Sequence, residues 1–276
     1  MRSGMDPQRN IKAMRALVSE AADAGAHYVQ TPEMTGALVR DRATLQTILK
    51  DEAGDPVVDA AARLAAERGI YLHIGSTAIG VAGGKVANRA FLFSPDGAIV
   101  ARYDKIHMFD VDLDHGESWR ESATYEAGRH AVVADLPFGR LGFAICYDVR
   151  FPRLFRDEAV AGATVLTVPA AFTRQTGEAH WHVLVRSRAI ENGAFVIAAA
   201  QGGTHEDGRE TYGHSLIVDP WGRVLAEAGH DAPAVIVAEI DGGAALRARQ
   251  KVPNLRNQSA FDLEQIEIPE PAEARP

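Results

Sequence analysis

The 276-residue chain contains a single cysteine. One thiol can neither close an internal disulfide nor build a multi-thiolate metal site, so Cys146 is either a small buried hydrophobe or a nucleophile. Positive charge is outweighed by negative. The net charge of −8, with no Lys/Arg-rich run, argues against a nucleic-acid partner. Long apolar runs are missing too, so nothing is expected to span a membrane. The opening Met1-Arg2-Ser3-Gly4-Met5-Asp6-Pro7 has no apolar core and does not read as a secretory signal. With no disulfide framework, the expected compartment is the cytoplasm. No Pro/Gly/Ser linker and no internal repeat divides the chain. What is present is ordinary for a globular protein, with 46% hydrophobic and 24% charged residues. We expect one domain over residues 1–260 and an acidic, proline-containing tail over residues 261–276.

Helical and strand patterns alternate, which predicts an α/β fold. Ile11, Met14, Leu17, Val18, Ala21 and Ala22 recur at helical spacing, with Gly25 placed to stop the helix. His27 to Thr31 reads as a strand broken by Pro32. A helix over 55–68 opens on Asp-Pro and ends at Gly69, followed by a strand over 70–77. Two hairpins have clear turn chemistry: 90–93 with 99–103 around Ser94-Pro95-Asp96-Gly97, and 214–218 with 223–227 around Asp219-Pro220-Trp221-Gly222. Between them lie a strand leading into Cys146, a helix from Arg153, a strand over 164–168, a helix over 177–192 and a strand over 194–200.

The stretch Leu141-Gly142-Phe143-Ala144-Ile145-Cys146-Tyr147-Asp148 is an apolar strand that turns abruptly polar at the thiol. Such a strand can present Cys146 at the sheet edge where α/β folds keep their binding crevices. Three other residues could supply chemistry there. Glu33 follows the strand 27–31, Lys105 follows 99–103, and Glu121 lies in a stretch with little regular pattern. Each alone is a common solvated charge. Position distinguishes Glu33 and Lys105, because both follow directly on a strand.

Three ordered motifs carry a resemblance. Pro32-Glu33-Met34, Tyr103-Asp104-Lys105-Ile106-His107-Met108-Phe109-Asp110 and Gly142-Phe143-Ala144-Ile145-Cys146-Tyr147-Asp148-Val149-Arg150-Phe151-Pro152 together resemble the nitrilase superfamily of carbon–nitrogen hydrolases. Ala179-His180-Trp181, Arg186-Ser187-Arg188-Ala189-Ile190-Glu191-Asn192, Tyr212-Gly213-His214-Ser215 and Ala198 to Gln201 with His205 are similar to its omega-amidase and deaminated-glutathione amidase branch. The resemblance spans about residues 3 to 255. It implies a four-layer α-β-β-α sandwich, a homodimer, no metal or organic cofactor, and a small linear, carboxylate-bearing amide as substrate.

The implied chemistry starts with Glu33 as base for the Cys146 proton while sulfur attacks the amide carbon. Lys105 and the backbone N–H of Tyr147 would stabilise the oxyanion. Ammonia would leave, and water would hydrolyse the thioester. The resemblance gives Glu121 a supporting role. Omega-amides, N-carbamoyl amino acids and nitriles stay open as alternative substrates.

The chain also departs from the family pattern. A short apolar strand normally precedes the segment matching residues 2–7, so the start is expected to be assigned late and a longer chain to melt higher. Arg153 stands where relatives are usually acidic. Arg174, expected on a loop bordering the pocket, could hold a substrate carboxylate or be a plain surface arginine. Two rivals come from other classes. A metallohydrolase would draw on His205, His214 and Glu206-Asp207; a catalytically silent partner would have no need of Glu33, Lys105 and Cys146 together. His180 and Trp181 are expected in the core or at a subunit contact.

Overall fold

A computed structural model describes residues 1–266. Helix α1 (Pro7–Asp23) begins where the Asp6 carboxylate accepts the Gln8 N–H, with proline in its first turn. Its Met14, Val18 and Ala21 form one buried stripe. Strand β1 (Tyr28–Gln30) follows, then α2 (Arg42–Ile48) and α3 (Pro56–Arg68). Helix α3 is capped by Asp55, which accepts the N–H groups of Val57 and Val58, and it ends on left-handed Gly69.

Strands β2 (Tyr71–Val81), β3 (Lys85–Phe93) and β4 (Ile99–Asp104) complete a four-stranded sheet in the order β1-β2-β3-β4. A small hairpin, β5 (Asp110–Asp112) and β6 (Ser118–Arg120), leads to β7 (Val133–Leu136) and β8 (Gly139–Phe143). Helix α4 (Pro152–Val160), β9 (Val165–Thr167), α5 (Arg174–Asn192) and β10 (Phe195–Ala198) then alternate. After a second small hairpin, β11 (Gly202–Thr204) and β12 (Glu210–Tyr212), come β13 (Leu216–Val218), β14 (Val224–Glu227) and α6 (Gly242–Lys251). The second large sheet has the order β14-β13-β10-β9-β8-β7, parallel only through β8, β9 and β10.

Alternation along β3 shows how the layers stack. Phe91 and Phe93 pack against Met14 and Val18 of α1 and Leu64 of α3. Ala90 and Leu92 join the core containing Phe143, Leu166 and Val196 of the second sheet, which also takes in Phe155 of α4 and Trp181 of α5. The result is α-β-β-α, as the family resemblance implies.

Several boundaries differ from the sequence reading. Strand β2 runs on to Val81 because the turn before β3 uses Gly83 and Gly84, both at positive φ, rather than proline. The Cys146 strand ends at Phe143, and Cys146 opens a 3-10 turn. Helix α5 starts at Arg174, a full turn earlier than Gly177. Residues 261–266 are exposed and lack regular structure, and the rest of the expected tail lies outside the described residues.

Strand β1 pairs with β2 alone. Its outer side borders a slot of about 880 Å³ walled by Leu17 and Ala21 of α1, residues 197–200, and the stretch 234–241, which joins no strand.

Candidate active site

Four acidic, basic and thiol side chains meet where the two large sheets present their strand ends. Glu33 sits just beyond β1, and the chain there passes so close to β2 that only glycine fits opposite. A Cβ on Gly75 would lie 2.1 Å from the Thr31 carbonyl oxygen. The Gln201 side-chain amide donates to the Glu33 carbonyl at 3.0 Å and to Ser3 Oγ at 2.8 Å. Lys105 follows β4, its backbone N–H donating to the Asn88 carbonyl. Glu121 enters from the turn after β6, where its carboxylate accepts the Phe109 N–H at 2.7 Å.

Lys105 is the hub. Its Nζ donates to Glu33 Oε1 and to both oxygens of Glu121, each at 2.9 Å, with Lys105 only 2% exposed. Asn88 Nδ2 donates to Glu33 Oε1 at 2.9 Å and to Glu121 Oε1 at 3.2 Å. Burial opposes charge on both Glu33 and Lys105. For Glu33, the nearby ammonium, the Cys146 thiol and Asn88 outweigh that penalty and hold the carboxyl below its ordinary range. For Lys105, Glu121 and Glu33 do the same and hold the ammonium well above the lysine range.

Cys146 has a left-handed backbone (φ 49°), uncommon outside glycine, and its N–H donates to the Pro169 carbonyl at 2.9 Å. Asp148, fully buried, fixes this elbow. It accepts the Ile145 N–H, the Tyr103 hydroxyl, and both the backbone N–H and Nδ1 of His107. Burial raises the Cys146 thiol well above its ordinary range, and the Glu33 charge adds to this more than Lys105 offsets. The resting group is therefore a thiol, not a preformed thiolate. The charge inventory agrees, since two carboxylates and one ammonium already leave the cluster net negative.

Which carboxylate oxygen can take the thiol proton follows from the bonding. Glu33 Oε1 is occupied by Lys105 and Asn88, whereas Oε2 accepts only the Ala171 N–H among the described residues, at 2.8 Å. Oε2 keeps a lone pair. The Tyr147 amide, at the first turn after the thiol, has no acceptor among the described residues.

Above this floor is a pocket of about 220 Å³ whose walls include Phe109, Trp119, Tyr125, Tyr147 and Phe172. Two candidates from the sequence belong elsewhere. Arg174 is the first residue of α5, not a loop residue, and its guanidinium faces Glu178 at 3.1 Å and Glu210 at 3.4 Å outside the lining. The Arg153 side chain is 92% exposed and among the described residues pairs only with Asp157, one helical turn on. The residues that sequence reasoning missed are Asn88, Asp148, Arg40 and Arg209. Asn88 carries the clearest signal, as a buried amide in the β3 strand, between Ala87 and Arg89.

The metal set considered from the sequence is split apart. His205 is buried against Ser3 and Thr211, whereas His214 shares the Glu227 carboxylate with His182, at 2.8 and 3.0 Å. Two imidazoles on one carboxylate form a satisfied hydrogen-bonded group away from the pocket. Trp181 is in the core, one of the two places expected for it, whereas His180 lies exposed on the outer side of α5 and so is not a core residue; its alternative, a subunit contact, concerns a partner chain.

The model of the carbon–nitrogen hydrolase family matches residues 1–250. A deaminated glutathione amidase from Yersinia enterocolitica is 37% identical over 259 residues, covering 92% of this chain and 89% of that protein. A Saccharomyces cerevisiae member of branch 10 of the nitrilase superfamily superposes with a TM-score of 0.83 at 28% identity, covering 93% of this chain and 92% of that one. An amidase variant from Nesterenkonia sp. AN1, in which acrylamide has added to the active-site cysteine, gives a TM-score of 0.76 at 25% identity, covering 92% and 95% of the two chains.

Proposed function

The chain belongs to the carbon–nitrogen hydrolase family, and we propose that it is a deaminated-glutathione amidase-like enzyme that cleaves small linear amides through a thioester on Cys146. The observation that carries this reading is the buried Glu33–Lys105–Glu121 cluster beside a protonated thiol. Glu33 Oε2 takes the Sγ proton as sulfur bonds to the amide carbon. The oxyanion is met by Lys105 and the Tyr147 N–H. Glu33 returns its proton to the departing nitrogen as the C–N bond breaks, releasing ammonia from a primary amide or an amine from a substituted one. Glu33 then deprotonates a water that attacks the thioester, and the C–S bond breaks to give the acid and the free thiol. Glu121 positions Lys105 through both of its oxygens.

Two further readings accompany this one. A nucleophilic thiol must stay reduced, which supports a cytoplasmic setting; no helix among the described residues is long and apolar enough to cross a membrane. Pairing into a homodimer is supported by the exposed Val183 and Ile190 of α5 and by exposed Trp221, whose turn abuts Ile190. Light scattering should return twice the 29.7 kDa chain mass.

The activity is tested by product release from deaminated glutathione, alpha-ketoglutaramate, an N-carbamoyl amino acid and a nitrile. Turnover of the first should be fastest, persist in EDTA, and fall by about 10⁴-fold or more in Cys146→Ala. An acyl adduct on Cys146 should be visible by intact mass during turnover. Unchanged turnover in Cys146→Ala, or loss with chelator, would overturn the reading.

A further inference from the structure

Resting on that amidase reading, we propose that Arg209, stacked on Trp119, is the specificity residue that holds the carboxylate end of the substrate, with Arg40 beside it. The pocket floor cannot do this. Glu33, Glu121 and Lys105 sum to one negative charge there and would repel an anionic group, so the amide must enter first and the carboxylate must stay at the mouth.

Arg209 lies in the turn between β11 and β12 and lines the same pocket as Cys146. Its side chain is only 15% exposed, and its Nε is buried with no hydrogen-bond partner among the described residues. Its one ion-pair partner among the described residues, Asp207, is 3.7 Å away, beyond hydrogen-bond range, so the planar fork is left with donors to give. The guanidinium carbon sits 4.5 Å from the Trp119 ring centroid, and that of Arg40 sits 4.7 Å from it. Stacking on an indole fixes the plane of a guanidinium without consuming its N–H groups. Arg40 makes no ion pair among the described residues. A buried, under-bonded, oriented guanidinium is what bidentate recognition of a carboxylate requires. It also explains why Arg174, already paired with two glutamates, is not needed for this task.

The carboxylate could belong to the acyl half or to the leaving amine, and two substrates separate these. Succinamate carries it on the acyl half, N-butyrylglycine on the amine half, and butyramide has none. In the native enzyme one of the two anionic amides should exceed butyramide in kcat/KM by about 30-fold, mostly through KM. In Arg209→Gln that advantage should shrink to about 3-fold or less. Arg209→Lys should fall between, because charge remains but the fork is lost. Arg153→Gln, far out on the surface, should keep the full advantage.

No preference for either anionic amide in the native enzyme overturns the proposal, as does a preference that survives Arg209→Gln in a folded protein. If no amide is turned over, the amidase reading fails separately, and succinate binding by calorimetry decides this one. Binding weakened about 10-fold in Arg209→Gln sustains it, and absent or unaltered binding overturns it.

Discussion

Two groups of buried titratable side chains in this molecule have opposite fates. On the pocket floor, Glu33, Lys105 and Glu121 are charged, because every charge has a partner at 2.9 Å. Between and behind the sheets, His73 and Glu158 are equally buried, but burial dominates. It lowers the His73 pKa to about 3, so that imidazole is neutral at pH 7, and it raises the Glu158 carboxyl well above its ordinary range, favouring the neutral acid. Each also leaves one atom without a partner among the described residues, Nε2 of His73 and Oε2 of Glu158. Burial alone neutralises a group in this protein, and it takes a reciprocal set of partners to keep charge inside. The charged set is the one that opens onto a pocket.

The sharpest way to break this contrast is to remove the hub. Lys105→Met keeps the stem of the side chain and deletes the ammonium, leaving two carboxylates facing each other. Activity on an amide should drop by about 10³-fold or more. Stability should fall by about 3 kcal/mol or more, as for other buried pairs that lose one partner. Amide turnover together with urea denaturation checks both. A variant as stable as the native chain would mean that the floor is held by packing and that its charges are not interdependent.

His73 tests the neutral side of the comparison. It packs its ring 5.0 Å from that of Phe143, and its Nδ1 meets the Tyr28 hydroxyl at 2.7 Å. Its folded pKa is depressed from 6.5 to about 3, so the unfolded chain binds the extra proton between those values. Stability therefore falls as pH drops from 6.5, and the full loss, on the order of 5 kcal/mol, is reached below pH 3. Urea denaturation at pH 7 and pH 4 should show a steeper fall in the native chain than in His73→Leu. Equal falls would show that the imidazole escapes protonation in neither state or both.

The same contrast explains what the sequence could reveal. Glu33, Lys105 and Cys146 were legible because each follows directly on a strand whose apolar pattern is local, and strand ends are where this fold gathers its chemistry. The turn at Cys146 was legible from the change of apolar to polar at Tyr147-Asp148. Asn88 was not, since its role depends on β3 lying beside β4 with Arg89 opposite Asp104, which puts Asn88 next to Lys105, a register no local pattern declares. Arg209 was harder still. It reaches the pocket only because its hairpin folds beside Trp119 of another hairpin, about 90 residues earlier in the chain. Arg174 misled for the complementary reason. Its loop-like Thr-Arg-Gln-Thr-Gly context hid a helix start, and its two glutamate partners come from one helical turn on and from β12.

Glu158 gives the smallest effect and the finest test. Its Oε1 accepts the Phe143 N–H at 3.0 Å, one strand residue away from the approach to Cys146. Because the folded carboxyl is raised above the unfolded one, the native state holds the extra proton. The stability it contributes is complete below the ordinary glutamate range and declines as pH rises above it. Glu158→Gln has the same shape, keeps an oxygen for Phe143, and cannot ionise. It should differ from the native chain by less than about 1 kcal/mol at pH 5, and gain relative to it as pH rises to 8. Chemical denaturation at the two values checks the sign. A loss at pH 8 would mean that the carboxylate is ionised in the folded protein and that burial does not decide the charge state there. The rule separating the two buried groups would then fail at its weakest member.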